Sequence, residues 1–394
     1  MNILIVHNYY RIPGGEDVVV ENESRLLEEA GHKVFLYTRH NSELDSMSVY
    51  KKLMLPLSFI YSGRTKADIT DLIKEKSIDV VMVHNTLMFI SPSVYYAALK
   101  CGVPVIQVVH NFRLLCPGAA LYRNGHICEE CIENGLHRAL RYSCYRDSRI
   151  FTLACVLSMI CHRRLRIYEK LYYICLTEFG RSKLLSYPGI KKERVFVKPN
   201  FTGPPKEIIP YEQRENCAVY AGRLDELKGI REIFYAFRDM GEKAPLLYVC
   251  GSGPLEEWCG EFIRENSLSG IRLLGRIEHE EVIRLMGRAR VVLCPSKWYE
   301  GLPMNIIEAF SVGTPVIGSS IGNVAAVITS EGLGRRIDIS RGSQAVKAAV
   351  LSFFYGPGSY EYDEQAFKEA RERYGRNNNR VMLEKILEAV VDNG

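Results

Sequence analysis

The run "IDVVMVHN" at residues 78–85 is a short apolar stretch that ends in a histidine and an asparagine. It does not alternate, so both faces of the strand it predicts are covered, as in a parallel sheet. The same form returns in "GVPVIQVVHN" (102–111), "KLYYICLTE" (170–178) and "RVFVKPN" (194–200). Upstream, Asn2–Val6 reads as a buried strand, Glu16–Ala30 as a helix with Gly31 as its C-cap, and Lys33–Thr38 as the next strand. Strands separated by helical patterns give an α/β fold with a parallel sheet covered on both faces. Ligands of such sheets gather at the carboxyl ends of the strands. His7-Asn8, His84-Asn85, His110-Asn111 and Asn200 fall there.

A Pro-rich, polar segment, "PNFTGPPKEIIPYEQREN" (199–216), predicts an interdomain linker. A second series follows: "CAVYAGRL" (217–224), "LLYVCGSG" (246–253), "IRLLGRI" (271–277), "VVLCPS" (291–296) and "PVIGSS" (315–320). The expected architecture is two doubly wound, Rossmann-like domains facing a central cleft. Residues 1–200 form the first, with a cysteine-containing insertion at 112–147. Residues 201–375 form the second, and a helix at 376–394 crosses back to the first.

The 394-residue chain is 47% hydrophobic and 25% charged, as soluble two-domain proteins are. The start, "MNILIV", reads as a strand because a signal peptide carries a basic region and a longer apolar core. A cytoplasmic location is expected. Twelve cysteines then point to thiols or metal rather than disulfides. The net charge is +5, but residues 138–198 hold 14 Lys/Arg against 4 Asp/Glu. That segment is +10 and the rest of the chain −5. An anionic partner suits it, and a peripheral membrane surface is the expectation; no nucleic-acid partner is expected. Within it, "IFTLACVLSMICHRRLRIYEKLYYICL" (150–176) has an apolar part too short to span a bilayer. Its apolar residues are expected in the core, with the arginines free to meet an anionic surface.

Four places in the second half suit an anionic nucleotide. "GRLDELKG" (222–229) puts Arg223 and Lys228 just after a strand, where two cations clamp a diphosphate. "CGSGP" (250–254) lets backbone at Gly251 approach a ligand, or is a plain tight turn. "GRIEHEEV" (275–282) offers backbone at Arg276 and Ile277 to a base edge, or caps a helix. In "SKWYEGLPMNIIEAFSVGTPVI" (296–317), Pro303 suits a first helical position, and the amides of Met304 and Asn305 then face an anion. Glu300 precedes that helix and Glu308 lies in its second turn. Carboxylates beside a phosphate site must do other work, and sugar hydroxyls are their natural donors.

Together, "GRLDELKG … CGSGP … EGLPMNIIEAFSVGTPVIGSS" resembles the donor domain of glycosyltransferase family 4, the retaining enzymes of the GT-B fold. "HNYYRIPGGEDVVVENESRLLEEAGHKV", "HNTLMFISPSVYYAALKCGVPVIQVVHNFRLLCP" and "LTEFGRSKLL" resemble its acceptor domain. The resemblance implies a hexosyltransferase using a nucleotide-diphosphate sugar. Its acceptor would be a lipid-linked or polysaccharide precursor of a surface glycan. Arg223 and Lys228 would neutralise the leaving diphosphate, with the amides after Gly301 and Leu302. Glu300 would hold the transferred sugar, Glu308 the ribose, and His110 would sit near the reacting carbon. Gly14, Gly15 and Asn200 complete the donor set. No Asp-x-Asp metal site is needed, so catalysis is expected to be metal-independent, without a further cofactor. Cys116, Cys128, Cys131 and Cys144 have the spacing of a structural zinc site, or are simple thiols. Two rival classes stay open: a nucleotide-sugar 2-epimerase on the same fold, and a non-catalytic nucleotide-sugar or glycan binder. The paired glutamates argue against both.

Overall fold

The computed structural model describes residues 1–11, 14–356 and 360–392. The chain divides into two compact units. The first holds Met1–Arg123, Cys128–Pro199 and the chain from Asn379; the second holds Asn124–Ile127 and Asn200–Asn378.

The first unit is built on β1 (Asn2–Tyr9), β2 (Lys33–His40), β3 (Val80–Asn85) and β4 (Val105–Val109). A short hairpin, β5 (Tyr122–Arg123) and β6 (His126–Ile127), turns through Asn124 and Gly125, both at positive φ. The sheet is completed by β7 (Tyr172–Cys175) and β8 (Val195–Val197). Its order is β2-β1-β3-β4-β7-β8, with every pair parallel. All six residues of β3 are buried, which is why its sequence does not alternate. The first helix runs Gly15–Glu29, so it starts one residue earlier than expected, and its cap is Ala30 with Gly31 following at φ 85°.

The second unit has β9 (Glu215–Ala221), β10 (Leu246–Cys250), β11 (Ile271–Gly275), β12 (Ala289–Cys294), β13 (Val316–Ser319) and β14 (Gly334–Ile337). All pairs are parallel in the order β11-β10-β9-β12-β13-β14. Each sheet therefore reverses direction once. The reversal falls between β1 and β3 in the first unit and between β9 and β12 in the second. At such a point adjacent loops leave toward opposite faces and open a crevice.

The segment expected as a linker is instead largely part of the second unit. Phe201 is buried, and Thr202 donates its N–H to Tyr374 O at 3.0 Å. Arg214, buried, donates to the carbonyls of Val312 (2.8 Å) and Gly313 (2.9 Å) at the end of helix Met304–Ser311. Polar composition read as a linker because these contacts are all distant in sequence. The last helix, Arg376–Asp392, contributes Asn379 to the first unit, where its side chain donates to Pro199 O and accepts from Lys198.

Candidate functional site

In the second unit, the loops after β9 and β12 flank the sheet's reversal. The first loop carries Arg223 and Lys228. Asp225 shapes it by accepting from the amides of Leu227 (3.0 Å) and Lys228 (3.1 Å). Gly229 closes it at φ 72°, where a Cβ would stand 2.2 Å from Pro295 O. Only glycine lets the two loops meet there.

That approach sets Lys228 against Glu300. The ammonium lies 2.8 Å from both carboxylate oxygens. Glu300 Oε1 also accepts from Ser296 Oγ (2.6 Å) and Trp298 Nε1 (2.8 Å). The carboxylate is 5% exposed. Burial is the largest single influence on Lys228 and lowers its pKa, but the charge and hydrogen bonds of Glu300, with Cys294 and Asp225, together raise the ammonium above its ordinary value. Asn323 holds the peptide after Glu300 by donating to the carbonyls of Glu300 and Gly301. Arg223 is exposed and pairs with Asp225 at 3.3 Å.

Pro303 is the N-cap of helix Met304–Ser311, with ψ 121°, and not its first helical residue. Extended backbone there still leaves Met304 and Asn305 as first-turn amides, which have no acceptor within the helix. The Asn305 side chain donates to Ala221 O at 2.8 Å and so ties the helix to β9. Leu302 is buried, and Asn200 donates to its carbonyl at 3.3 Å while Asn200 Oδ1 stays unpartnered. Glu308 is 8% exposed, so both glutamates are buried rather than solvated.

Glu308 accepts from His279 Nε2 at 2.9 Å. His279 was not singled out in the sequence. Its partner lies 29 positions away, and no local pattern marks such a pair. The hydrogen bond to Glu308 raises its pKa. Arg276 is exposed and Ile277 half-buried, just beyond Gly275 at φ 66°. Gly251, at φ 137°, faces Gly222 O; a Cβ would come within 2.0 Å. Close packing of two loops accounts for this glycine, which is the tight-turn alternative.

The first unit holds His110, half-buried at the end of β4. It lines a pocket with His84, Asn85, Gln107, Arg113, Phe59 and Met159. A Cβ on Gly14 would meet nothing within 4 Å, so that loop start is open, and Gly15 begins the helix. Pro13 of the same stretch lies outside the described residues.

The zinc expectation is not met. Among the described residues, no three His, Cys, Asp or Glu side chains stand where they could hold a metal ion. Cys116, Cys128, Cys131 and Cys144 do lie close enough to feel one another. Burial, with the neighbouring cysteines, pushes the Cys131 thiol up to about 12 and the Cys144 thiol up to about 11.

Helix Arg149–Arg164 splits its apolar residues. Ala154, Cys155, Val156 and Met159 are buried, while Ile150 (69%), Leu153 (43%) and Leu157 (45%) are exposed. It packs beside helix Val49–Ile60, which exposes Tyr50, Met54 and Leu57. Among the described residues, no helix is long and apolar enough to cross a membrane.

Two family models match the chain. Residues 206–377 match "Glycosyl transferases group 1", and residues 13–152 match "Glycosyltransferase Family 4". A glycogen synthase of Mycobacterium tuberculosis is 27% identical over 154 residues, 38% of this chain and 37% of that protein. The O-antigen chain mannosyltransferase B of Escherichia coli is 26% identical over 176 residues, 41% of this chain and 46% of that protein. The chain thus spans less than half the length of these curated relatives. Anabaena Alr3699/HepE, solved with UDP and glucose, superposes with TM-score 0.67 at 14% identity, covering 99% of this chain and all of that one. Both sheets agree with the GT-B fold of this neighbour, and with the two models matched in sequence the chain belongs to the GT-B glycosyltransferases of the family 4 type.

Proposed function

We propose that this chain transfers a hexose from a nucleotide-diphosphate sugar to a lipid-linked or polysaccharide precursor, with retention at the anomeric carbon. The observation that carries the reading is the ion pair of half-buried Lys228 with buried Glu300, in the loops that lead to helix Met304–Ser311. A cation, free amides and a carboxylate at a sheet reversal suit a diphosphate joined to a polyol. As the anomeric C–O bond breaks, charge grows on the diphosphate. Lys228, Arg223 and the amides of Met304 and Asn305 stabilise it. Glu300 accepts from sugar hydroxyls and Glu308 from the ribose. Within the first unit, His110 is the side chain we read as meeting a substrate hydroxyl. No side chain here is assigned as a covalent nucleophile; the leaving phosphate takes the acceptor's proton. Fixed cations do the work of a metal ion, so chelator leaves turnover intact.

The acceptor is reached at an anionic membrane surface. Support comes from the exposed apolar residues of helices Val49–Ile60 and Arg149–Arg164, two helices without Asp or Glu inside the basic first unit. Apolar side chains ringed by arginine suit the headgroup region of an anionic bilayer.

A panel of nucleotide sugars, read by thermal shift and by release of nucleoside diphosphate with and without acceptor, tests the reading. A saturating donor, at about 100 times its Kd, adds ~2.7 kcal/mol of stability. Acceptor-dependent release with an α-to-α product supports it. Inversion, or interconversion of the nucleotide sugar itself, would replace transfer with retention by another chemistry.

A further inference from the structure

Behind His110, the first unit buries a chain of charged and ring side chains to which the proposed transfer gives no role. Glu23, from helix Gly15–Glu29, and Lys198, just after β8, are both 0% exposed and paired through Glu23 Oε1. The other carboxylate oxygen, Oε2, has no hydrogen-bond partner, and neither has His84 Nε2. These two atoms face each other at 3.5 Å. On its other side, His84 Nδ1 lies 2.9 Å from His110 Nε2, and the rings stack at 20°. The pairing of β1 with β3 jumps from Val6–Val83 to His7–Asn85, leaving His84 as the extra residue of a bulge. Bulges beside sites re-aim a side chain.

We propose that Glu23 and His84 are positioning residues that fix His110 as its Nε2–H tautomer, presenting a bare Nδ1 as acceptor for a substrate hydroxyl. The inference rests on the transfer reading for its functional meaning, but not for its geometry. A carboxylate held by an ammonium is acceptor-only, so His84 Nε2 carries the hydrogen. Burial pushes both imidazoles well below their ordinary pKa, so each holds one ring hydrogen near neutral pH. His84 Nδ1 is then a lone pair, and it accepts from His110 Nε2–H. What is left on His110 is Nδ1, which makes no hydrogen bond within the described residues. A ring set by its buried partner is a recurrent way of fixing which nitrogen reacts. Lys198 holds Glu23 through Oε1, and Asn379 steadies Lys198 by accepting at 2.9 Å.

The test is nitrogen-15 NMR of histidine-labelled full-length protein near pH 7, with His110 assigned by loss of its signals in His110→Gln. The expected spectrum has His84 and His110 both as Nε2–H tautomers. In His84→Phe, which keeps a ring but removes the acceptor, His110 should become a tautomer mixture. Turnover should fall about tenfold or more, with donor KM little changed. A His110 that is Nδ1–H or doubly protonated in the wild type overturns the proposal, as does an unchanged tautomer and turnover in His84→Phe. The wild-type spectrum needs no variant to fold. Protein inert toward every donor, yet with both tautomers as stated, would support the tautomer assignment while defeating the transfer reading.

Discussion

Glu300 is unevenly satisfied: Oε1 takes three donors and Oε2 only Lys228. Oε2 therefore keeps room for a sugar hydroxyl. Lys228→Ala removes a cation aimed at the developing charge, and turnover should fall roughly 10²–10³-fold. Glu300→Gln should also lose most transfer, for lack of the sugar-side acceptor, and steady-state kinetics on both variants checks this. A variant of either kind with near wild-type turnover would remove that side chain from the reaction. His279 allows a pH prediction. Its pKa is raised by Glu308, so the pair's stabilisation is full below the ordinary histidine value and fades as pH rises through the raised one. The effect is small because the His279 side chain is 67% exposed. His279→Ala should lower Tm at pH 6 and leave it nearly unchanged at pH 9; equal losses at both would mean the pair is not the cause.

Helix Met304–Ser311 is held at both ends by distant side chains: Asn305 reaches Ala221 and Arg214 takes the carbonyls of Val312 and Gly313. Arg214→Met should cost about 1–3 kcal/mol, because buried acceptors lose their donor. Denaturant unfolding reads this, and a loss under a few tenths would contradict it. The same elements show what the sequence makes legible. The apolar, non-alternating strands were readable because burial on both faces leaves a compositional mark. β14 was not, because "GRRI" places Arg335 and Arg336 on an edge strand that tolerates them. The hairpin at 122–127 carries an Asn-Gly turn signal, but its strands are only two residues each and show no alternation to read. Glu300 and Glu308 were legible as a spaced pair, whereas Ser296, Trp298 and His279, which hold them, were not. Their meaning lies in contacts that sequence spacing does not encode.

Across the whole molecule, two doubly wound sheets place their reversals where the singled-out residues of each unit gather. The basic first unit adds exposed apolar side chains on helices Val49–Ile60 and Arg149–Arg164. Ile150→Glu with Leu157→Glu should abolish sedimentation with phosphatidylglycerol vesicles and leave nucleotide binding intact. Equal sedimentation of wild type with neutral phosphatidylcholine vesicles would show that charge plays no part. The account depends most on the second unit binding a nucleoside diphosphate through Lys228. Calorimetric titration of UDP, as a first probe, into wild type, Lys228→Ala and Glu300→Gln tests that directly. The expected result is binding by the wild type, at least tenfold weaker in Lys228→Ala and unchanged or tighter in Glu300→Gln, where the lysine is released from its carboxylate. Equal weakening in both variants, or affinity indifferent to Lys228, would contradict it.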